Sequence, residues 1–577
     1  MINNFFTNKV LKLIFEKNIV FLIILLSIIT AILETVGIGS VIPLIKLFSD
    51  QNYLDNLREL NKFNFLNNFD NNTLKTLFII IVPAIFVLKN LIYVLFIYLS
   101  SKFIASFRTD LSRKLFSNFI YNDYKFHLDN HASNLIKNIN IDTENLRYCI
   151  SFVIVGISEI LIVISILTFL FIYNFFLTGI CISIILIIGI IYKLLLKDFN
   201  LKIGEDRFNM LSNLQIKVRE TLNNIKIIKI FSSQDYFLKI FDNSNIKYSD
   251  RLAKQDFIIN LPKTIIELTM VFILFIFVFL NQDNADFFSI AGAYLIAFFR
   301  LMPSLNRIAT AYSQKDVTTF TLTAISDLLD KSETSSNKYD KNTEYYVSKN
   351  INIDSISLKN FSYSYDQNRE IFKDINLDFK KNEFIGITGN SGSGKTTFVN
   401  LLLGLLKPTK GSILINGKYE INKNLRLFKN KISYVPQSIQ VQELTLAENI
   451  AFGIELAKIN LDKLDSVIKQ AKLEDLVKKL PLGVNTIVKD DNYNISGGEL
   501  QRLGIARALY FDSEIIILDE ATSSLDEDNE KEIINTIFNL FYKKKTIIFI
   551  SHKINNLKNA DYLLEIKNAK ILKYFNT

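Results

Sequence analysis

Two hydrophobic patterns divide the 577-residue chain. Over roughly the first 310 residues, apolar side chains run in long stretches rich in Ile, Leu and Phe; later they come in short β-rich runs between polar turns. A helix needs about 20 consecutive apolar residues to cross a bilayer. Windows near 19–45, 76–101, 151–173, 175–196, 257–280 and 287–310 meet that requirement, which predicts six spans. The connections at Tyr173-Asn174 and 281–286 are so short that the third and fourth spans, and the fifth and sixth, must be hairpins. Two connections, 102–150 and 197–256, are long, keep helical periodicity and are rich in Lys and Arg. About a dozen basic residues lie between 193 and 254, against none in 281–286. Basic excess marks the cytoplasmic side, so the long connections and both chain ends are expected in the cytoplasm. The first apolar run ends in Glu34-Thr-Val-Gly-Ile-Gly without a small-residue cleavage site, and reads as a retained span.

The expected architecture is an all-α six-helix transmembrane domain over 1–330, a linker at 331–350 rich in Ser, Asn, Lys and Glu, and an α/β domain over 351–577. A positive mean hydropathy, +0.23, fits a membrane protein better than a soluble enzyme of this size. The formal charge of +9 comes largely from scattered lysines near the membrane edges, where they suit anionic lipid; no nucleic-acid partner is expected. Cys149 and Cys181 provide no disulfide framework or zinc spacing. The tips of the long connections are expected at 122–133 and 231–241. His127 and His131 in the first tip are four apart, but no acidic or cysteine partner clusters nearby, which favours a solvated loop over a metal site.

Candidate chemistry is concentrated in the second half. Residues 389–396 read Gly389, Asn390, Ser391, Gly392, Ser393, Gly394, Lys395, Thr396, followed by Thr397. This is the phosphate-loop pattern: backbone N–H groups of a glycine-rich turn cradle phosphates, Lys395 reaches the β- and γ-phosphates, and the Thr396 hydroxyl binds Mg²⁺. The β-rich run 384–388 leads into it and an apolar helix follows, so the helix N-terminus adds donors and dipole. About a hundred residues later comes Ile495-Ser496-Gly497-Gly498-Glu499, and then a buried-strand run, 515–518, that delivers Asp519 to the metal and Glu520 to an attacking water.

This ordered set resembles the nucleotide-binding domain of ATP-binding-cassette (ABC) transporters, with Ser496, Gly497 and Gly498 as the family signature. The resemblance extends over about 230 residues. It implies that Tyr365 stacks on adenine, although the alternating run 361–365 also supplies core aromatics. It implies that Gln437 touches Mg²⁺ and the attacking water, that 523–526 with Asp526 communicates across a dimer, and that His552 contacts the γ-phosphate. Two departures stand out: Glu499 where the family usually has Gln, and Lys489-Asp490-Asp491-Asn492 in place of the exporters' Gly-Glu-x-Gly. Six spans fused to one ATPase domain resemble an ABC exporter half-transporter. That implies a homodimer, because each ATP is sandwiched between the phosphate loop of one copy and the signature of the other. ATP and Mg²⁺ are the implied cofactors.

Ionisable residues inside spans are functional candidates by default. Lys89, Lys263 and Arg300 come from three spans and are the candidate contacts to a phosphate-bearing substrate. The competing expectation is internal pairing with Glu34 and Glu267, Lys263–Glu267 above all. Glu34-Thr-Val-Gly-Ile-Gly, Pro43, the stretch 300–304 and an amphipathic segment expected at 49–75 resemble bacterial flippases of polyprenyl-diphosphate-linked oligosaccharides. The resemblance implies a bacterial plasma membrane and outward flipping of a lipid-linked glycan. An ABC exporter of another lipid, a peptide or a drug is the alternative within the class, and a soluble DNA-associated ABC-type ATPase is the alternative outside it.

Overall fold

The computed structural model describes residues 18–49, 71–281, 287–336, 352–365, 370–424, 428, 431–489, 495–521 and 527–575. The predicted segment 49–75, the linker, the 282–286 turn, Asp490–Asn492 and 523–526 lie wholly or largely outside these residues. The chain divides into two compact units, one made of Met1–Asn122 and Phe126–Lys338, the other of Asp123–Lys125 and Tyr339–Thr577.

The first unit is helical. Its long helices are α1 (Asn18–Ser49), α2 (Asn71–Tyr121), α5 (Thr143–Tyr173), α6 (Phe175–Asn223), α8 (Gln234–Asn281) and α9 (Phe287–Ser336). Short helices α3 (Tyr124–Asp129), α4 (Ala132–Lys137) and α7 (Ile225–Ile230) interrupt the series. Each of the six predicted spans falls on one long helix. Among the described residues, the stretches at Asn18–Val41, Thr76–Tyr121, Ala132–Ile172 and Thr178–Asn223 are long and apolar enough to cross a membrane. The apolar stretches of α8 and α9 are described only in part. Helices apolar on every face, with Leu, Ile and Phe turned outward, have no stable place in water.

Asn174 alone joins α5 to α6, in an extended conformation (φ −149°) that reverses the chain, as the short connection requires. The long connections are not separate domains but continuations of the spanning helices. At the second, the short helix is Ile225–Ile230, ahead of the predicted 231–241; the chain turns at 231–233, where Ser232 takes φ +50°, and α8 begins at Gln234. Phe103, Phe107, Leu111 and Leu115 of α2 pack with Leu146 of α5 and Ile325 of α9 in one core. Ile162 and Ile166 of α5 pack with Tyr294, Ala297 and Leu301 of α9 in another. Gly204 lets α6 approach the α9 backbone, since a Cβ there would run into the Val317 carbonyl oxygen.

The second unit is α/β. Its antiparallel sheet contains β1 (Ser355–Ser364), β2 (Glu370–Lys380), β4 (Lys410–Ile415) and β5 (Tyr419–Glu420) in the order β2-β1-β4-β5. The main sheet runs β12-β11-β3-β10-β9-β6, from β3 (Phe384–Gly389), β6 (Ile432–Val435), β9 (Ile515–Asp519), β10 (Thr546–Ile550), β11 (Tyr562–Lys567) and β12 (Lys570–Phe575). All of its pairings are parallel except β11–β12. Strands β9 and β10 are buried at every position, which is why they read as unbroken apolar runs rather than alternating ones.

Candidate functional site

Sheet register sets the geometry. Ile550 at the end of β10 pairs with Ile387 of β3 on one side and with Asp519 of β9 on the other. The carboxyl ends of three neighbouring strands are therefore level, and the loops that leave them meet, the usual place for a site in a parallel sheet.

From β3 the chain enters Gly389–Gly394 and then helix α10 (Lys395–Leu402). Gly389, Gly392 and Gly394 take φ of +155°, +77° and +105°. At Gly394 a Cβ would lie 2.8 Å from Ile371 Cγ2, so both conformation and space call for glycine. The loop wraps around Lys395, whose ammonium donates to the Gly389 and Asn390 carbonyls at 3.0 and 3.2 Å. Successive backbone donors at a helix N-terminus, with a buried ammonium inside, fit phosphate oxygens. Ser393 Oγ is buried and lacks a hydrogen-bond partner, leaving one more polar atom for such a ligand.

From β9 come Asp519 and Glu520. Glu520 takes φ +50°, and its N–H donates to the Ile550 carbonyl at 3.1 Å. Its carboxylate accepts from Gln437 Nε2 at 3.0 Å, lies 2.8 Å from His552 Nε2 and 3.9 Å from Lys395 Nζ. His552 and Lys395 are 3.2 Å apart. Gln437 is held from behind, its carbonyl accepting from Gln501 at 2.8 Å. Asp519 accepts from the Tyr434 hydroxyl at 3.1 Å. Burial, aided by the neighbouring Glu520 charge, pushes the Asp519 carboxyl above its usual range against the Tyr434 hydrogen bond and Lys395, and burial pushes the Lys395 ammonium down against the pull of Glu520 and Asp519. Thr396 and Asp519 together offer a hydroxyl and a carboxylate, hard oxygen donors of the kind Mg²⁺ prefers.

The structure thus brings Lys395, Gln437, Asp519, Glu520 and His552 into one cluster. It adds Tyr434, which the sequence reading did not single out; its position between Ser433 and Val435, ahead of Gln437, was the available signal. Tyr365 is partly exposed, its hydroxyl 3.2 Å from Thr397 Oγ1, whereas Phe361 and Tyr363 of the same run are core. Ser496, Gly497 and Gly498 lie at the start of α14 (Gly497–Phe511), about one turn before the Gln501 that holds Gln437. There Ser496 and Glu499 form a reciprocal capping box, and Lys479 donates to Glu499 at 2.9 Å. Asp526 lies outside the described residues.

A second charged cluster lies within the helical unit. Lys89 Nζ is 3.0 Å and Arg300 Nε 2.6 Å from opposite oxygens of Glu34. Arg300 Nη1 also reaches Glu159 at 3.5 Å, and Arg307 Nη1 reaches it at 3.0 Å. The expectation of internal pairing therefore holds for Lys89 and Arg300. It does not hold for Lys263 and Glu267, which are exposed and make no ion pair with each other among the described residues. Glu159 and Arg307 were missed by the sequence reading. Glu159 could have been found by the rule that drew attention to Glu34, since it lies within the third apolar window.

Comparison with known proteins agrees with both units. The profile of the family described as "ABC transporter transmembrane region" matches residues 18–281, and that described as "ABC transporter" matches 372–523. The chain is 28% identical over 492 residues to an ATP-dependent lipid A-core flippase 2 of Colwellia psychrerythraea, covering 83% of this chain and 81% of that protein. It is 26% identical to a probable multidrug resistance ABC transporter ATP-binding/permease protein of Bacillus subtilis, over 77% and 66% of the two chains. The structure of a bacterial Atm1-family ABC exporter with ATP bound has the same fold, with a TM-score of 0.76, 20% identity and 95% of both chains covered. The membrane region rules out the soluble DNA-associated alternative. The chain belongs to the ABC transporters, and with one transmembrane region followed by one ATP-binding domain it is an exporter half-transporter that hydrolyses ATP to drive transport.

Proposed function

We propose that two copies of this chain flip an anionic lipid, a polyprenyl-diphosphate-linked oligosaccharide or related glycolipid, from the inner to the outer leaflet of a bacterial plasma membrane. Both termini and the ATP-binding domain face the cytoplasm, with a transmembrane domain over 1–330, a linker at 331–350 and a nucleotide-binding domain over 351–577. The observation that carries the substrate class is the intramembrane cluster around Arg300, in which three cations face two carboxylates. Relatives named lipid A-core flippases support a lipid cargo. Lys89 and Arg300 are the proposed head-group contacts, with Arg307 beside them. Lys263 remains a candidate from its exposed place on α8.

In the ATP site, Gly389–Thr397 hold the phosphates, Lys395 and His552 neutralise charge on the γ-phosphate, and Tyr365 stacks on adenine. Glu520 orients the attacking water, and Gln437 holds that carboxylate in place. Thr396, Gln437 and Asp519 would hold Mg²⁺, which when bound neutralises the transferring phosphoryl group. Ser496, Gly497, Gly498 and Asp526 serve the partner copy's ATP, so one chain makes half of each site.

A second reading, export of an apolar drug, draws on a cavity of about 420 Å³ between α6, α8 and α9, lined by Ile188, Ile265, Met270 and Ile308 with Lys193 at its margin. Translocation in proteoliposomes separates the two. ATP-dependent movement of a fluorescent polyprenyl-diphosphate oligosaccharide, with no transport of an uncharged hydrophobic dye, is expected; the reverse preference would replace the flippase reading with the drug reading.

A further inference from the structure

Glu34, Lys89, Glu159, Arg300 and Arg307 come from α1, α2, α5 and α9. Three cations against two carboxylates leave one formal positive charge, an unfavourable state within a membrane domain unless an anion joins. The two carboxylates are placed differently. Glu159 is fully buried, holds Arg300 and Arg307, and its oxygens make no hydrogen bond. Glu34 keeps slight exposure and gives one oxygen to each of two cations from different helices. Arg300 also donates to Ser304 Oγ at 2.9 Å, and Arg307 to the Tyr93 hydroxyl at 3.3 Å, so both guanidinium groups are braced by neighbours other than Glu34.

We propose that Glu34 is an internal counter-anion which the substrate's phosphate displaces, and that it thereby sets the charge the substrate must carry. This rests on the head-group reading above. A carboxylate bridging Lys and Arg occupies the donors that two phosphate oxygens take. With Glu34 turned aside, three cations face Glu159 alone and the cluster has two uncompensated charges. A diphosphate diester, with two negative charges, neutralises it. A phosphodiester with one charge that took the place of Glu34 would leave the same single positive charge as before, so ordinary anionic phospholipid is disfavoured by competition rather than by shape.

The test uses the full chain in phosphatidylcholine nanodiscs, reading ATP hydrolysis against added polyprenyl-diphosphate oligosaccharide or phosphatidylglycerol. Wild type should respond to the diphosphate lipid and weakly to phosphatidylglycerol. Glu34→Gln should lower the half-maximal diphosphate concentration by about tenfold and narrow the preference over phosphatidylglycerol. Glu34→Asp, with its carboxylate drawn back by one methylene, should fall between and covers poor folding of the first variant. Soluble inorganic diphosphate should compete better against the lipid in Glu34→Gln, assigning the effect to head-group charge rather than the tail. Equal half-maximal concentrations in all three proteins, with the response lost in Arg300→Gln, would overturn the role of Glu34 and leave the head-group reading standing. No response to the diphosphate lipid in any of them would overturn both.

Discussion

Glu520 combines a left-handed backbone with a carboxylate fixed by Gln437 and His552. A non-glycine residue in that region is strained by about 1–3 kcal/mol, and such strain persists where surrounding structure holds it for a purpose. Replacing the carboxylate while keeping the shape, in Glu520→Gln, should reduce the hydrolysis rate by about 10²–10⁴-fold and leave ATP binding intact. Single-turnover hydrolysis beside nucleotide binding checks it. Asp519 shows the opposite compromise. Its carboxyl is raised by burial, so the folded state resists its ionised form, and stability is lost as pH rises through the folded value. Asp519→Asn should therefore raise the thermal midpoint of the apo protein at pH 7, and the gain should shrink as pH falls and the wild-type carboxyl protonates. The same variant should lose Mg²⁺-supported hydrolysis, a stability–activity exchange visible in paired melting and turnover curves. These residues were legible in the sequence because each follows an unbroken apolar strand. Tyr434 was not, since a half-exposed tyrosine in a short strand looks like any other.

At the scale of elements, two short pieces control the ATP site. The phosphate loop depends on Gly394, where φ of +105° and the nearness of Ile371 exclude a side chain. Gly394→Ala should destabilise the loop by about 1–3 kcal/mol and weaken ATP binding, measurable by nucleotide titration. Helix α14 starts at a capping box, so Ser496→Ala should remove about 1 kcal/mol from that helix start, read as a lower thermal midpoint. The box also accounts for the tolerance of Glu499 where the family has Gln, because either side chain can accept from the Ser496 N–H. The spans were readable for the same reason as β9 and β10: burial on every face, or contact with lipid, requires unbroken apolar runs. The break at 231–233 was less readable, because the polar turn of a helical hairpin has no periodicity to mark its edges. Sequence distance concealed the charge cluster. Glu34 and Arg300 are 266 positions apart, and only packing of α1, α2, α5 and α9 reveals that Lys89 and Arg300 share one carboxylate.

For the whole molecule, that cluster ties four helices with ion pairs that are costly to break singly. Arg300→Gln removes its contacts to Glu34 and Glu159 but leaves Glu34 paired with Lys89 and Glu159 with Arg307, so it should destabilise the protein by only about 1–3 kcal/mol. Adding Glu34→Gln leaves Lys89 without its carboxylate and should lower stability further; thermal midpoints and lipid translocation read together would show whether stability and function separate there. Under the proposed function, hydrolysis at Glu520 drives a diphosphate-linked lipid across the bilayer. The most direct test is ATP-dependent translocation of a polyprenyl-diphosphate oligosaccharide in proteoliposomes, wild type against Glu520→Gln. Sustained outward movement by wild type, lost without ATP and lost in Glu520→Gln, is the predicted result. Equal movement by both proteins, or robust hydrolysis by wild type with no movement of that lipid, would contradict it.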